Sequence, residues 1–197
     1  MLIVSRVIRF AALYPEHLNL NGDHANLLVL QKRLKWRDVE SEVVTVTRKE
    51  DLGKFDLLVL GHGSADAWAE LSKFDSDLIP RVLAFINSGK PVIAVSSGYE
   101  FLVEEMNSMK VKHVERASEF QDSDGVVGYI NSEADLPAVT WVKNSLLTLF
   151  HGPVLAKNPK LADQIIENAN WAPIEKRARL ENVDSLADAS RRIAFED

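Results

Sequence analysis

The sequence predicts an α/β fold with a mostly parallel central sheet flanked by helices, and three observations predict it. Strand-like and helix-like segments alternate through the first half of the chain, the pattern of parallel strands joined by crossover helices. Two strand candidates, residues 56–60 (Asp56-Leu57-Leu58-Val59-Leu60) and 91–95 (Pro91-Val92-Ile93-Ala94-Val95), are almost wholly apolar, as strands buried on both faces are. Each run then stops at a cluster of small residues, Gly61-His62-Gly63-Ser64 and Ser96-Ser97-Gly98. Right-handed crossovers place both clusters at one edge of the sheet, where open α/β sheets carry their sites.

The elements follow in order. A mixed strand-like segment covers residues 2–13, a helix 23–36, a strand 41–47, and the apolar strand 56–60. Helices are expected at 65–73 and 75–88, then the strand 91–95 and a helix at 98–107, whose Phe101, Leu102 and Met106 recur at helical spacing. After Met109 the pattern weakens. Residues 110–124 are polar and mixed, 125–131 and 138–143 are strand-like, and 158–170 is a helix opened by Asn158-Pro159. The tail, about 174–197, is charged with apolar residues at helical spacing and predicts a terminal helix or two. Residues 1–197 are read as a single domain with that helical tail.

Composition narrows the function. A chain of 197 residues, 46% hydrophobic and 26% charged, is of a size and make-up for one soluble globular unit. Its net charge of −6 provides no basic field to collect phosphates, so nucleic acid is not an expected partner, and Lys32-Arg33 and Arg191-Arg192 are too short to change that. Met1 to Leu13 lacks the apolar centre and cleavage site of a signal peptide, and no stretch has the length of a membrane span. A cytoplasmic location is expected. The absence of cysteine removes disulfides, thiolate metal sites and thiol chemistry together. His17, His24 and His113 show no ligand spacing, so neither a metal nor another cofactor is expected.

Residues 91–102 read as a strand turning sharply into a helix. Such a turn lifts the residue at its tip clear of the sheet, beside the backbone N–H groups of the helix that follows, where negative charge is stabilised. Ser96 is that tip. An ordinary strand-to-helix turn of an α/β domain would use the same small residues.

Four segments, in order, resemble the class I glutamine amidotransferases of the cobyric acid synthase-like branch, and within it the GatD-type glutaminase subunits. They are Tyr14-Pro15 through Asn26, with Leu18-Asn19 and Gly22-Asp23; Leu60-Gly61-His62-Gly63-Ser64, like the glycine-rich oxyanion loop; the elbow at Ser96, like the family's Cys-Gly-Gly-Tyr-Gln; and Phe150-His151-Gly152-Pro153 through Pro159, like the stretch that carries the catalytic histidine. The resemblance implies a flavodoxin-like, class I glutamine amidotransferase-like domain in which Ser96 and His151 hold the nucleophile and histidine positions and Gly61, His62, Gly63 and Ser97 the oxyanion or substrate-binding ones.

The departures from the family pattern fall on its chemistry. There a cysteine thiolate attacks the glutamine amide while backbone N–H groups hold the oxyanion. Here Ser96 stands for the cysteine, Glu100 for the glutamine after the tyrosine, and His62 for a glycine of the oxyanion loop. Residues 127–135, like the family's substrate segment, lack its histidine, glycine pair and arginine, and Arg116 is the one arginine in the shortened stretch before it. A non-catalytic descendant is therefore expected, binding a partner or ligand through the inherited surface, with a MurT-like Mur-ligase subunit as the partner the resemblance implies and glutamine or a related small molecule as ligand if a pocket persists. The alternative is a working hydrolase or amidotransferase in which Ser96 and His151 release ammonia from glutamine. Tyr14, Asp23 and Asn26 are expected to fix the first loop against the helix after it, and Trp36, Trp68, Trp141 and Trp171 to fill core or interface.

Overall fold

The computed structural model describes residues 6–172 and 178–193. Its elements are β1 (Ile8–Leu13), α1 (Ala25–Lys35), β2 (Ser41–Val46), a 3-10 turn (Leu52–Lys54), β3 (Leu57–Leu60), α2 (Ala65–Phe74), α3 (Leu78–Asn87), β4 (Val92–Val95) and α4 (Ser97–Asn107). They continue with β5 (Glu119–Ser123), β6 (Val126–Ile130), β7 (Val139–Val142), β8 (Ser145–Thr148), β9 (Phe150–His151), α5 (Val154–Lys157), α6 (Pro159–Asn168) and α7 (Ala178–Ile193). The expected strand at 2–5 and parts of the expected tail, 174–177 and 194–197, lie outside the described residues.

Six strands form the main sheet in the order β2-β1-β3-β4-β8-β7, parallel throughout except for β7 against β8. Every residue of β3, β4 and β8 is buried. These strands sit in the middle of the sheet with helices on its faces, which is why they are apolar rather than alternating. β8 escapes a sequence reading because it is four residues long with polar ends. Those ends are satisfied by neighbours: Ser145 Oγ accepts from Val92 N at 3.0 Å and Thr148 Oγ1 donates to Ala138 O at 2.8 Å.

A second, antiparallel sheet of β5, β6 and β9 lies beside the first. Its hairpin turns at Asp124-Gly125, both at positive φ (53° and 80°), the backbone that a two-residue hairpin turn demands. β5 falls in the stretch read as polar and mixed. It is a short, largely exposed edge strand, so its residues carry no buried face to betray it.

α7 is tied down by charge. Arg33, 3% exposed on α1, donates to Asp163 of α6 and Asp184 of α7, each at 2.7 Å, and Arg37 adds a bond to Asp163 at 2.8 Å. A buried guanidinium shared by two carboxylates fixes geometry more than it adds stability. Among the described residues no helix is long and apolar enough to cross a membrane, and no cluster of His, Cys, Asp and Glu could hold a metal ion.

Candidate active site

β4 runs into α4 through Ser96, whose φ of 47° and ψ of −111° lie outside the regions open to ordinary side chains. Such a conformation costs about 1–3 kcal/mol and persists only where its surroundings hold it. Here Ser96 N donates to Thr148 O at 2.8 Å and Ser96 O accepts from Glu100 N at 2.9 Å, so the strand and the helix grip the residue from either side. Gly98 allows the grip, because a Cβ there would lie 2.6 Å from Leu60 O. This is the geometry of a nucleophile elbow. Ser96 is nevertheless only 1% exposed, and its Oγ has no hydrogen-bond partner among the described residues.

The loop after β3 is pressed against the first loop. A Cβ at Gly61 would meet Leu18 O at 2.1 Å, and one at Gly63 would meet His17 O at 2.6 Å. Three backbone N–H groups converge near the elbow, and each has a partner in the chain. His62 N donates to Asp23 Oδ2 at 2.8 Å, Gly63 N to Ser97 Oγ at 3.0 Å, and Ser97 N to His62 Nδ1 at a longer 3.4 Å. Ser97 Oγ donates to Gly63 O at 3.1 Å and accepts from Trp68 Nε1 at 2.8 Å, so it cannot easily swing away. The N–H after an elbow residue and an N–H from a neighbouring loop are the groups that normally form an oxyanion hole. Both of those groups are occupied.

His151, on β9, faces Tyr129 of β6 across the small sheet. Its Nδ1 lies 2.8 Å from Asn21 Nδ2 and its Nε2 lies 3.2 Å from Asn131 O. The His62 ring packs edge-on against the His151 ring, with centroids 4.9 Å apart at 81°. His62 thus stands with His151 on one side and the Ser97 N–H on the other. Burial, and then the neighbouring His151, push its pKa down to about 4, so it is a neutral imidazole at ordinary pH.

Asp23 and Asn26 explain how the distant segments meet. Asp23, fully buried, accepts from Gly152 N at 2.7 Å as well as from His62 N, bridging the oxyanion-type loop and the His151 turn. Burial raises its pKa, while the two backbone N–H groups and His151 oppose the rise. Asn26 donates to Gly152 O at 3.1 Å and accepts from Leu155 N at 3.0 Å. Both residues therefore reach well beyond the adjoining helix. Tyr14 reaches the other way, its buried hydroxyl donating to Asp75 at the end of α2.

Gly61, His62, Gly63, Ser96, Ser97 and His151 are gathered at the carboxyl ends of β3 and β4. Ser96 and His151 share no hydrogen bond. Glu100 turns to Ser132 Oγ and His113 Nε2, each at 3.2 Å. Asn21, Asn131 and Trp68 also belong to the site, and sequence reasoning did not single them out for it. Each touches it through a contact between remote segments, and Trp68, expected as core or interface filler, donates to Ser97 Oγ. A cavity of about 1020 Å³ opens elsewhere, between the β5–β6 hairpin, α6 and α7, with Asp122, Lys160 and Arg192 in its wall.

His24, buried where α1 begins, has neither ring nitrogen hydrogen-bonded among the described residues. Burial pushes its pKa from 6.5 down to about 4. A base whose folded pKa is depressed leaves stability intact above about pH 6.5 and erodes it as pH falls from there toward 4, at about 1.4 kcal/mol per pH unit once the unfolded chain is protonated. His62 adds a loss of the same sign. Urea midpoints between pH 7 and pH 5 are expected to fall, and His24→Leu to flatten that fall by up to one proton. An unchanged slope in His24→Leu would show that His24 does not stay neutral on folding.

No family model matches the chain. It is similar to the GatD subunit of the lipid II isoglutaminyl synthase (glutamine-hydrolyzing) of Staphylococcus aureus strain N315, with 26% identity over an alignment covering 78% of this chain and 81% of that one. A glutamine amidotransferase crystal structure from Thermotoga maritima superposes over 96% of this chain and 94% of its own, with a TM-score of 0.51 at 10% identity, a likeness of fold alone. The chain is a homologue of GatD on a class I glutamine amidotransferase-like, flavodoxin-type α/β fold.

Proposed function

We propose that this chain is a non-catalytic, GatD-like subunit that works by binding a MurT-like Mur-ligase in the amidation of a peptidoglycan precursor. The observation that carries the loss of catalysis is the His62 imidazole, whose Nδ1 accepts the Ser97 N–H. A tetrahedral oxyanion formed at Ser96 would need that N–H, and the chain's own side chain stands in its place. Ser97 Oγ closes off Gly63 N in the same way. A serine also lacks the ionised fraction that makes a thiol useful near neutral pH. The segment expected to hold substrate contributes Ser132, which donates to Glu100, and no basic residue. The partner rests on likeness to a protein described as a synthase subunit.

A second reading is favoured by one observation, the strained backbone at Ser96. Strain of that kind clusters at working sites. In that reading Ser96 and His151 hydrolyse glutamine once a partner moves His62 aside.

Glutamine hydrolysis by the purified protein, alone and with a MurT-like Mur-ligase, separates the two. The expected result is no ammonia release above the uncatalysed rate in either case, with the complex amidating its acceptor from added ammonium and not from glutamine. Ammonia release from glutamine that disappears in Ser96→Ala would establish the second reading.

A further inference from the structure

We infer that Asn21 and the Asn131 carbonyl together hold His151 as a hydrogen-bond donor at Nε2, so that the ring has no lone pair to offer Ser96. The argument begins at the carbonyl, because a carbonyl oxygen can only accept. With Asn131 O 3.2 Å from Nε2, that nitrogen carries the proton. The neutral ring then has its lone pair on Nδ1, and the group 2.8 Å away must donate to it, as the Asn21 amide does through Nδ2. The orientation of the amide is thus set by the backbone rather than chosen freely.

Asn21 sits at Nδ1, the ring nitrogen to which a serine-protease triad directs its acid. An acid there accepts from Nδ1–H and leaves Nε2 free as a base. An amide donating there does the opposite. Substituting the acid of a serine-protease triad by its amide costs about 10⁴ in turnover through the wrong tautomer alone. Asn21 is a positioning residue in this sense, since it acts through His151 and touches no reacting atom. The groups facing the ring are the buried Asp23 carboxylate, which the Gly152 and His62 N–H groups already engage, the His62 ring, and Tyr129 across the strand pair.

The inference deepens the non-catalytic reading. Its test reads the ring and not turnover, so either can fail without the other. Long-range ¹H–¹⁵N correlation spectra of the full chain, with His151 assigned through His151→Gln, report which ring nitrogen is protonated. In the native protein at a pH where the ring is neutral, the proton is expected on Nε2. In Asn21→Asp the carboxylate accepts from Nδ1 while Asn131 O still accepts from Nε2, so both nitrogens are expected to be protonated at that same pH. Asn21 is exposed, so the variant is expected to fold. A native ring protonated on Nδ1 would overturn the inference, as would an Asn21→Asp ring that remains neutral and protonated on Nε2 only. The native spectrum decides the matter even if the variant does not fold.

Discussion

Ser96→Cys is expected not to restore glutamine hydrolysis. If the missing thiol were the one defect, the substitution would supply a nucleophile with a usable thiolate fraction at an elbow that is already formed. Activity would then rise from a level up to about six orders of magnitude below a working enzyme, the size of nucleophile losses elsewhere. The geometry argues against recovery on two counts. The Ser97 N–H is bonded to His62 Nδ1, and one oxyanion donor is worth about 10²–10³ in turnover. Position 96 is also nearly sealed from solvent. His62→Gly removes the ring, frees the N–H and is expected to loosen the packing around the elbow. Alkylation of the introduced thiol by iodoacetamide is therefore expected to be slow in Ser96→Cys and faster in the double variant, while glutamine turnover stays negligible in both, because Ser97 Oγ still holds Gly63 N and Asn21 and Asn131 O still hold His151. Robust turnover in the single variant would mean that Ser96 alone separates this chain from an active amidotransferase.

Gly98→Ala is expected to be the more damaging of two glycine substitutions, by about 3 kcal/mol or more. In an unconstrained helix the change would be stabilising by about 0.5–1 kcal/mol. Here the new Cβ would lie 2.6 Å from Leu60 O and 3.0 Å from Gly61 O. Those carbonyls belong to β3 and its loop, so relief requires the strand and the elbow helix to part, which opens the core and moves Ser96. Gly125→Ala is the control. Its Cβ meets nothing within 4 Å, but its φ is +80°, so the cost is the backbone strain alone, about 1–2 kcal/mol. Urea midpoints of the two variants against the native chain measure the difference. Equal losses would show that β3 and α4 can separate without penalty.

Much of the sheet was legible because burial leaves a compositional trace. β3 and β4 are short apolar runs between small-residue turns, and the helices around them alternate at the spacing a covered sheet requires. β8 and β5 were not legible, for opposite physical reasons. β8 is apolar but too short for a period to show, and its polar ends look like a loop until Val92 N and Ala138 O are placed beside them. β5 is an edge strand with no buried face, and its one local signal was the Asp124-Gly125 turn that closes the hairpin.

The site divides along the same line. By itself the sequence determined which residues stand at the elbow and the loop after β3, and that the chain has no cysteine to place there, because these are matters of residue type within contiguous segments. Whether the N–H groups there are free depends on where a side chain 35 residues away lies, and tertiary structure alone decided that His62 points at Ser97 N. It also decided the partners of His151, since Asn21 and Asn131 come from loops 130 and 20 residues distant in the chain. A hydrogen bond requires two groups to meet within about 3 Å at a suitable angle. Residue type supplies the groups, and only the packing of the whole sheet edge brings them together.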